Sequence, residues 1–286
     1  MIRTQPKQAI TAVTMTGMMR RTVNLTAAEV DSPVAIITGG GTGIGAACAT
    51  ALAAKGCRIM INYQSSHENA KATVAQCQDL GVSALSAQGS IAKDEDCRRI
   101  LDETWEVFGR VDLLVNNAGV TRFADQKDLD ALDASDFDYI MSVNVNGTYQ
   151  MTRAAVPYLK KSDRAAVVNV SSHSGISGIG SSMAYAASKG ALNTMTRSLA
   201  RNLAPLIRVN AVCPGFVDTR WLSGKLSDVA LTKFREKVSA AAPLLTIVTP
   251  ADVADAVCWL GLHARSVTGQ LLVIDGGTHL TTANPL

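Results

Sequence analysis

From Pro33 onward the chain alternates short β-branched runs with longer amphipathic stretches, and this alternation constrains the fold more than any single motif does. It is the pattern of repeated strand–helix–strand units, which build a parallel sheet covered by helices on both faces. The strand candidates are VAIIT at 34–38, CRIMIN at 57–62, VSALSAQ at 82–88, VDLLVN at 111–116, AAVVNVS at 165–171, IRVNAVC at 207–213 and QLLVID at 270–275. Helical spacing falls near 43–55, 66–80, 94–108, 135–161, 183–204 and 250–262, long enough for the crossovers that parallel strands require. The sequence thus predicts an α/β fold, a doubly wound seven-stranded parallel sheet with helices on both faces. Pro157 predicts a kink or an end in the fourth helix.

No linker and no internal repeat divides residues 33–286, so one domain is expected to carry both cofactor and substrate sites. Segment 219–243 interrupts the alternation beyond a strand's carboxyl end, where open α/β sheets bind ligands, and is a candidate lid. Residues 1–32 differ in character, being Thr- and Met-rich, with Arg20 and Arg21. They hold neither the ~20 apolar residues of a membrane helix nor the roughly 7 to 15 of a signal peptide. The segment is read as a flexible extension or an over-long start, with Met15, Met18 or Met19 as the initiator; a transit peptide is the other reading.

A hydrophobic fraction of 47% against 18% charged supports a large core and excludes disorder of the whole chain. Lys and Arg number 27 against 24 acids, a net charge of +3, without the concentrated basic balance of a nucleic-acid or polybasic membrane surface. Neither partner is expected, and the protein is expected in the cytoplasm. Cys48, Cys57, Cys77, Cys97, Cys213 and Cys258 form no CxxC pair, and His67, His173, His263 and His279 are scattered, so neither a disulfide framework nor a metal site is expected.

Immediately after the first strand stands TGGGTGIG. Gly39, Gly43 and Gly45, with Thr42 and Ile44 between them, fall where a strand must turn sharply into a helix whose amino end faces a pyrophosphate. Further on come NNAG at 116–119, YAASK at 185–189 and PG at 214–215. In order and spacing the four motifs make residues 33–280 resemble the short-chain dehydrogenase/reductase family, in its compact single-domain branch. The glycine spacing is unlike that of the longer sugar epimerases, which disfavours an epimerase. The resemblance implies a Rossmann fold and hydride transfer between a nicotinamide dinucleotide and a carbonyl or alcohol.

An acid at the end of the second strand commonly binds the ribose hydroxyls of NAD and would repel an added phosphate. Here the strand ends Asn62, Tyr63, Gln64, Ser65, Ser66, with no carboxylate, which favours NADP. NAD stays open, because no arginine stands at these positions or at Thr42, where NADP-specific relatives usually add one. Ser90 occupies the place of an aspartate that the family usually sets against adenine. By the same resemblance Asn116, Ala118 and Gly119 line the cofactor ribose, Asn116 being equally readable as a structural strand-end residue. Pro214, Gly215, Val217 and Thr219 match the segment that fixes the nicotinamide amide.

Tyr185 and Lys189 lie four apart on a predicted helix and so share one face. A phenol of pKa ~10 is about three units above neutral pH, some 4 kcal/mol, and a nearby cation supplies about one to three units. Tyr185 is therefore read as the proton-transfer residue and Lys189 as its electrostatic partner. Ser172, thirteen residues before the tyrosine, matches the family serine that polarises the substrate oxygen, with Ser171 as the rival. Asn144, in SVNVNG, matches the family asparagine of the proton path. Enoyl-reducing relatives space the tyrosine and lysine further apart, so ketone chemistry is preferred.

NNAGVTR and PGFVDT are most similar to 3-oxoacyl reductases, while sugar and steroid alcohol dehydrogenases using NAD share much of these strings. Arg122, His173, Met183, Arg220 and Trp221 are expected at the pocket mouth. The expected partner is a small carbonyl or alcohol substrate, and the resemblance implies a homotetramer that pairs the helices at 135–161 and 183–204. The remaining alternative is a catalytically silent dinucleotide-sensing or scaffold protein, against which the intact Asn144, Ser172, Tyr185 and Lys189 set argues.

Overall fold

The structure, a computed structural model, describes residues 31–219 and 227–281. Residues 1–30 of the expected extension and 220–226 of the expected lid, with Arg220 and Trp221 among them, lie outside the described residues. Seven strands form one sheet: β1 Val34–Thr38, β2 Arg58–Tyr63, β3 Ala84–Gln88, β4 Leu113–Asn116, β5 Ala166–Val170, β6 Arg208–Pro214 and β7 Leu271–Ile274. All neighbours are parallel, in the order β3-β2-β1-β4-β5-β6-β7.

Successive residues of a strand point to opposite faces, so a sheet covered on both sides needs runs that are apolar throughout. In β1, Ile37 packs with Ile61, Val115 and Val168 against α1 Gly43–Ala54, α2 His67–Asp79 and α9 Pro250–Cys258. Ile36 packs with Met60, Leu114 and Val167 against α3 Asp94–Phe108 and α5 Thr148–Leu159. Each of these buried apolar side chains contributes roughly 1.5–3 kcal/mol. The chain leaves β1 towards β2 and β3, then returns to β4 on the other side. That reversal opens a crevice beyond the carboxyl ends of β1 and β4, the usual ligand site of such sheets.

The fourth predicted helix is divided, and not at the proline. α4 Ala134–Met141 passes through a π-helical turn, Ser142–Gly147, into α5, while Pro157 is accommodated within α5 and the helix ends two residues later. The Asn144 carbonyl within the widened turn is met by the Thr148 hydroxyl at 2.9 Å, a side-chain bond that offsets the irregular backbone ladder. A second π turn, Trp259–His263, follows α9. The remaining helices are a short turn α6 Ser174–Ser177, the long α7 Met183–Leu203, and α8 Asp228–Ala241 within the expected lid. Among the described residues no helix is long and apolar enough to cross a membrane.

Candidate active site

The site is built where β4, β5 and α7 converge. Ser182 caps α7, its buried side chain accepting from the Tyr185 amide at 3.2 Å, and this starts the helix so that Tyr185 and Lys189 fall on successive turns of one face. Lys189 is 4% exposed; its ammonium lies 5.6 Å from the Tyr185 ring centre and donates to the Val170 carbonyl at 2.9 Å. Ser172 follows the end of β5 and its hydroxyl hydrogen-bonds the Tyr185 phenol. Ser171 faces the other way, donating to Asn193 Oδ1 at 2.6 Å, so of the two serines Ser172 is the one against the phenol.

Asn144 is drawn inward by the π turn. Its Oδ1 accepts from the Val120 amide at 2.8 Å, and its Nδ2 donates to the Val120 carbonyl at 2.9 Å and to the Ser188 hydroxyl at 3.0 Å. Ser188 in turn donates to the Tyr185 carbonyl at 2.7 Å, which links α7 to the π turn. A Cβ on Gly119 would stand 3.3 Å from Asn144 Oδ1 and 3.7 Å from Lys189 Nζ, so the NNAG backbone, Asn144 and Lys189 enclose one small volume.

Burial dominates the electrostatics. It pushes the Tyr185 phenol up to about 12, opposed by the Ser172 hydrogen bond, and brings the Lys189 ammonium down to about 8, opposed by Cys213. The expected lowering of the phenol by Lys189 together with an oxidised nicotinamide concerns the loaded site; in the protein alone burial is the larger effect on the phenol. The resting site therefore holds a protonated phenol.

The glycine turn fits a dinucleotide phosphate. Thr42 precedes α1 in extended conformation without a side-chain capping bond, so its hydroxyl does not claim the first-turn amides. A Cβ on Gly45 would stand 2.3 Å from the Gly39 carbonyl oxygen, which leaves glycine as the one residue able to close this turn. Asn117, which sequence reasoning missed, donates to the Thr38 and Gly39 carbonyls at 2.9 and 3.1 Å and ties the turn to β4; its place beside Asn116 in NNAG was the available signal. Ala118 lies against the same turn, its amide donating to the Thr38 hydroxyl at 3.0 Å. Thr219 folds over the turn, its methyl 3.5 Å from where a Gly43 Cβ would be. Behind it the Gly215 amide bonds the Ile274 carbonyl at 2.9 Å and Val217 bridges Val248.

Asn116 departs from the ribose expectation. Its Nδ2 donates to the Thr152 hydroxyl and to Asn169 Oδ1, both at 2.9 Å, so the side chain is held in the core between the sheet and α5. This is the structural alternative. At the end of β2 the Tyr63 hydroxyl bonds His67 Nδ1 at 2.7 Å, the Gln64 carbonyl accepts from Gln88, Gln64 and Ser65 are exposed, and Ser66 is half-buried ahead of α2. The Ser90 amide donates to Asp96 Oδ2 at 2.9 Å, so an acid is present near that position, engaged by the backbone.

On the substrate side the expected residues are dispersed. Arg122 is exposed, paired with Asp136 at 3.3 Å and set over the Tyr139 ring at 5.3 Å. Met183 lines a shallow pocket with Phe137, Leu129 and Leu132. His173 is half-buried at the ends of β6 and β7, its amide donating to the Pro214 carbonyl at 2.8 Å, and its ring centre is 6.5 Å from that of His279. His279 Nδ1 bonds the buried Asp275 carboxylate at 2.9 Å. Burial lowers the pKa of His173, opposed by Asp275.

The chain is similar to known dehydrogenases and reductases. A family model described as enoyl-(acyl carrier protein) reductase matches residues 39–279. A protein of Streptomyces violaceoruber, named as a ketoacyl reductase of the granaticin polyketide synthase, is 42% identical over 250 residues, covering 87% of this chain and 97% of its own. A 3-oxoacyl-[acyl-carrier-protein] reductase of Staphylococcus aureus is 31% identical, covering 86% of this chain and 98% of its own. A crystal structure from Burkholderia xenovorans, described as a short-chain dehydrogenase/reductase, superposes with a TM-score of 0.81 at 41% identity, covering 88% of this chain and 99% of that one.

Proposed function

The chain belongs to the short-chain dehydrogenase/reductase family and is an NAD(P)-dependent oxidoreductase acting between ketones and secondary alcohols; from this premise we propose that it is an NADPH-dependent reductase of 3-oxoacyl or similar small ketones in the cytoplasm. One arrangement carries the reductive reading: the Tyr185 phenol is hydrogen-bonded to Ser172, with the Lys189 ammonium 5.6 Å from its ring centre. A carbonyl oxygen placed between them accepts one hydrogen bond from each hydroxyl, and Tyr185 gives up its proton as charge develops on that oxygen. When bound, the nicotinamide supplies the hydride to the carbonyl carbon. Lys189 then faces the phenolate as a cation, and Asn144, which lies with Lys189 against Gly119, would hold a water of the path that returns a proton from solvent to the lysine and Tyr185.

The glycine turn, Ala118, Gly119 and the 214–219 segment would hold the dinucleotide, with Gln64, Ser65 and Ser66 at the 2′-position. The absence of a carboxylate from residues 62–66 supports NADPH. The three-residue gap between Tyr185 and Lys189 supports ketone over enoyl reduction, and the names of the S. violaceoruber and S. aureus relatives point the same way. The reading includes a homotetramer formed through α4–α5 and α7, for which the exposed rings of Tyr139 and Tyr149 provide apolar area.

The test is turnover of NADPH and NADH with a panel of ketones that includes 3-oxoacyl thioesters, with Tyr185→Phe as control. Reduction that is lost in the variant supports the reading. Cofactor binding without turnover on any ketone replaces the enzyme with a dinucleotide sensor.

A further inference from the structure

Asn193 follows Lys189 by four residues and Tyr185 by eight, so the three share one face of α7. It is 4% exposed, and both ends of its amide are engaged. Oδ1 accepts from the Ser171 hydroxyl at 2.6 Å, and Nδ2 donates to the Gly175 carbonyl at 3.1 Å. Those two residues flank the turn in which Ser172 sits. The turn also rests directly on the helix: a Cβ on Gly175 would stand 2.5 Å from the Lys189 carbonyl carbon. No motif in the sequence drew attention to Asn193, because it stands beyond the YAASK string.

We propose that Asn193 is a positioning residue for Ser172, holding Ser171 and Gly175 with a single amide and so setting the distance between the Ser172 hydroxyl and the Tyr185 phenol. The inference rests on the roles given above to Ser172 and Tyr185. Its physical basis is that the clamp needs one acceptor and one donor in fixed relative orientation. Asparagine supplies both, aspartate supplies only acceptors and sets one against the Gly175 carbonyl, and leucine supplies neither. Serine has a single short rotor, so a displaced turn carries the hydroxyl with it. A misplacement of about 1 Å in a reacting constellation costs up to about 100-fold in rate.

The experiment compares Asn193→Leu, Asn193→Asp and the milder Ser171→Ala with Ser172→Ala and the Asn193→Leu/Ser172→Ala double variant. The expected result for Asn193→Leu and Asn193→Asp is a fall in kcat of about 10-fold or more, with ketone KM and NADPH affinity within about twofold. Ser171→Ala, which removes one of the two bonds, falls between these and the parent. In the Ser172→Ala background Asn193→Leu has no further effect on kcat. Equal losses in the two backgrounds overturn the proposal. A second readout needs no turnover: the ¹³Cζ resonance of Tyr185 reports the Ser172 hydrogen bond and is expected to move in Asn193→Leu and in Ser171→Ala in the direction it moves in Ser172→Ala. A resonance unmoved in these folded variants also overturns it. A parent protein inactive on every ketone refutes the catalytic reading, while the resonance still decides the clamp.

Discussion

The Lys189 ammonium donates to the Val170 carbonyl at 2.9 Å, so the cation beneath Tyr185 is anchored to the strand that delivers Ser172. The bond makes the lysine part of the sheet's carboxyl edge and not a mobile surface charge. Burial at that edge brings its pKa down to about 8 while raising that of Tyr185 to about 12. Both groups titrate above neutral pH, the lysine first. Below about pH 8 both carry their protons, the state that protonates a carbonyl oxygen.

A pH profile follows, with its sign. Because burial lowers Lys189 from 10.5 to about 8, its charge is complete below that value and lost above it. The kcat/KM for ketone reduction is therefore expected to be flat near neutrality and to fall with unit slope as pH rises through about 8. Lys189→Arg, which stays charged throughout, removes the break even where its plateau is lower. A break at the same pH in that variant assigns the titration to another group.

Cofactor choice is set at the exposed end of β2. Gln64→Asp places a carboxylate where the proposed reading puts the 2′-phosphate, and the like charge is expected to cost about 10- to 100-fold in kcat/KM for NADPH, equivalent to about 1.4–2.8 kcal/mol. NADH turnover is expected to be kept or raised. Stopped NADPH titrations monitored by nicotinamide fluorescence measure the same change as affinity. An equal loss for both dinucleotides argues that position 64 supports the turn and does not read the phosphate.

The strand runs and the glycine turn were legible because each follows from one rule: continuous apolar runs for strands covered on two sides, and missing side chains where backbone meets backbone, as at Gly45. The break in the fourth helix was not legible. Pro157 is the strongest local breaker, yet the helix is widened fifteen residues earlier, from Ser142, where Asn144 makes its long-range pairing with the Val120 backbone. The same limit applies to Asn116 and Asn193. A polar side chain near a motif does not announce whether it faces ligand or core, and only packing against Thr152, Asn169, Ser171 and Gly175 decides it.

The candidate lid is joined to the sheet by two contacts of different strength. The Phe216 and Phe234 rings meet edge to face at 4.9 Å, and Arg235 pairs with Asp218 at 2.8 Å, both side chains partly exposed. The ring pair contributes about 0.5–1.5 kcal/mol and the exposed ion pair less than about 1 kcal/mol. Phe234→Ala is expected to raise the ketone KM several-fold, and Arg235→Ala to change it less. Steady-state kinetics with one ketone suffices, and the reverse order of effects removes the ring pair from the closing contact.

Stability and activity are separable along β6, because Arg208 stands at its amino end and Pro214 at the catalytic end. The Arg208 guanidinium donates to the Leu260, Gly261 and Ala264 carbonyls at 2.6, 2.8 and 3.0 Å, meeting the carbonyls that the second π turn leaves at the end of its helix. Burial lowers its pKa, yet a guanidinium stays charged at any working pH. Arg208→Ala leaves three carbonyls without that donor and is expected to cost about 3 kcal/mol, since water reaches some of them. For a chain of this size that is a fall in Tm of about 6–12 °C. Arg208→Lys, a point charge without the planar fork, is expected to recover only part of the loss. Differential scanning calorimetry reads the stability, and kcat per folded molecule is expected to be unchanged in both variants. A lowered kcat at unaltered Tm reverses the assignment and makes the amino end of β6 part of the catalytic apparatus.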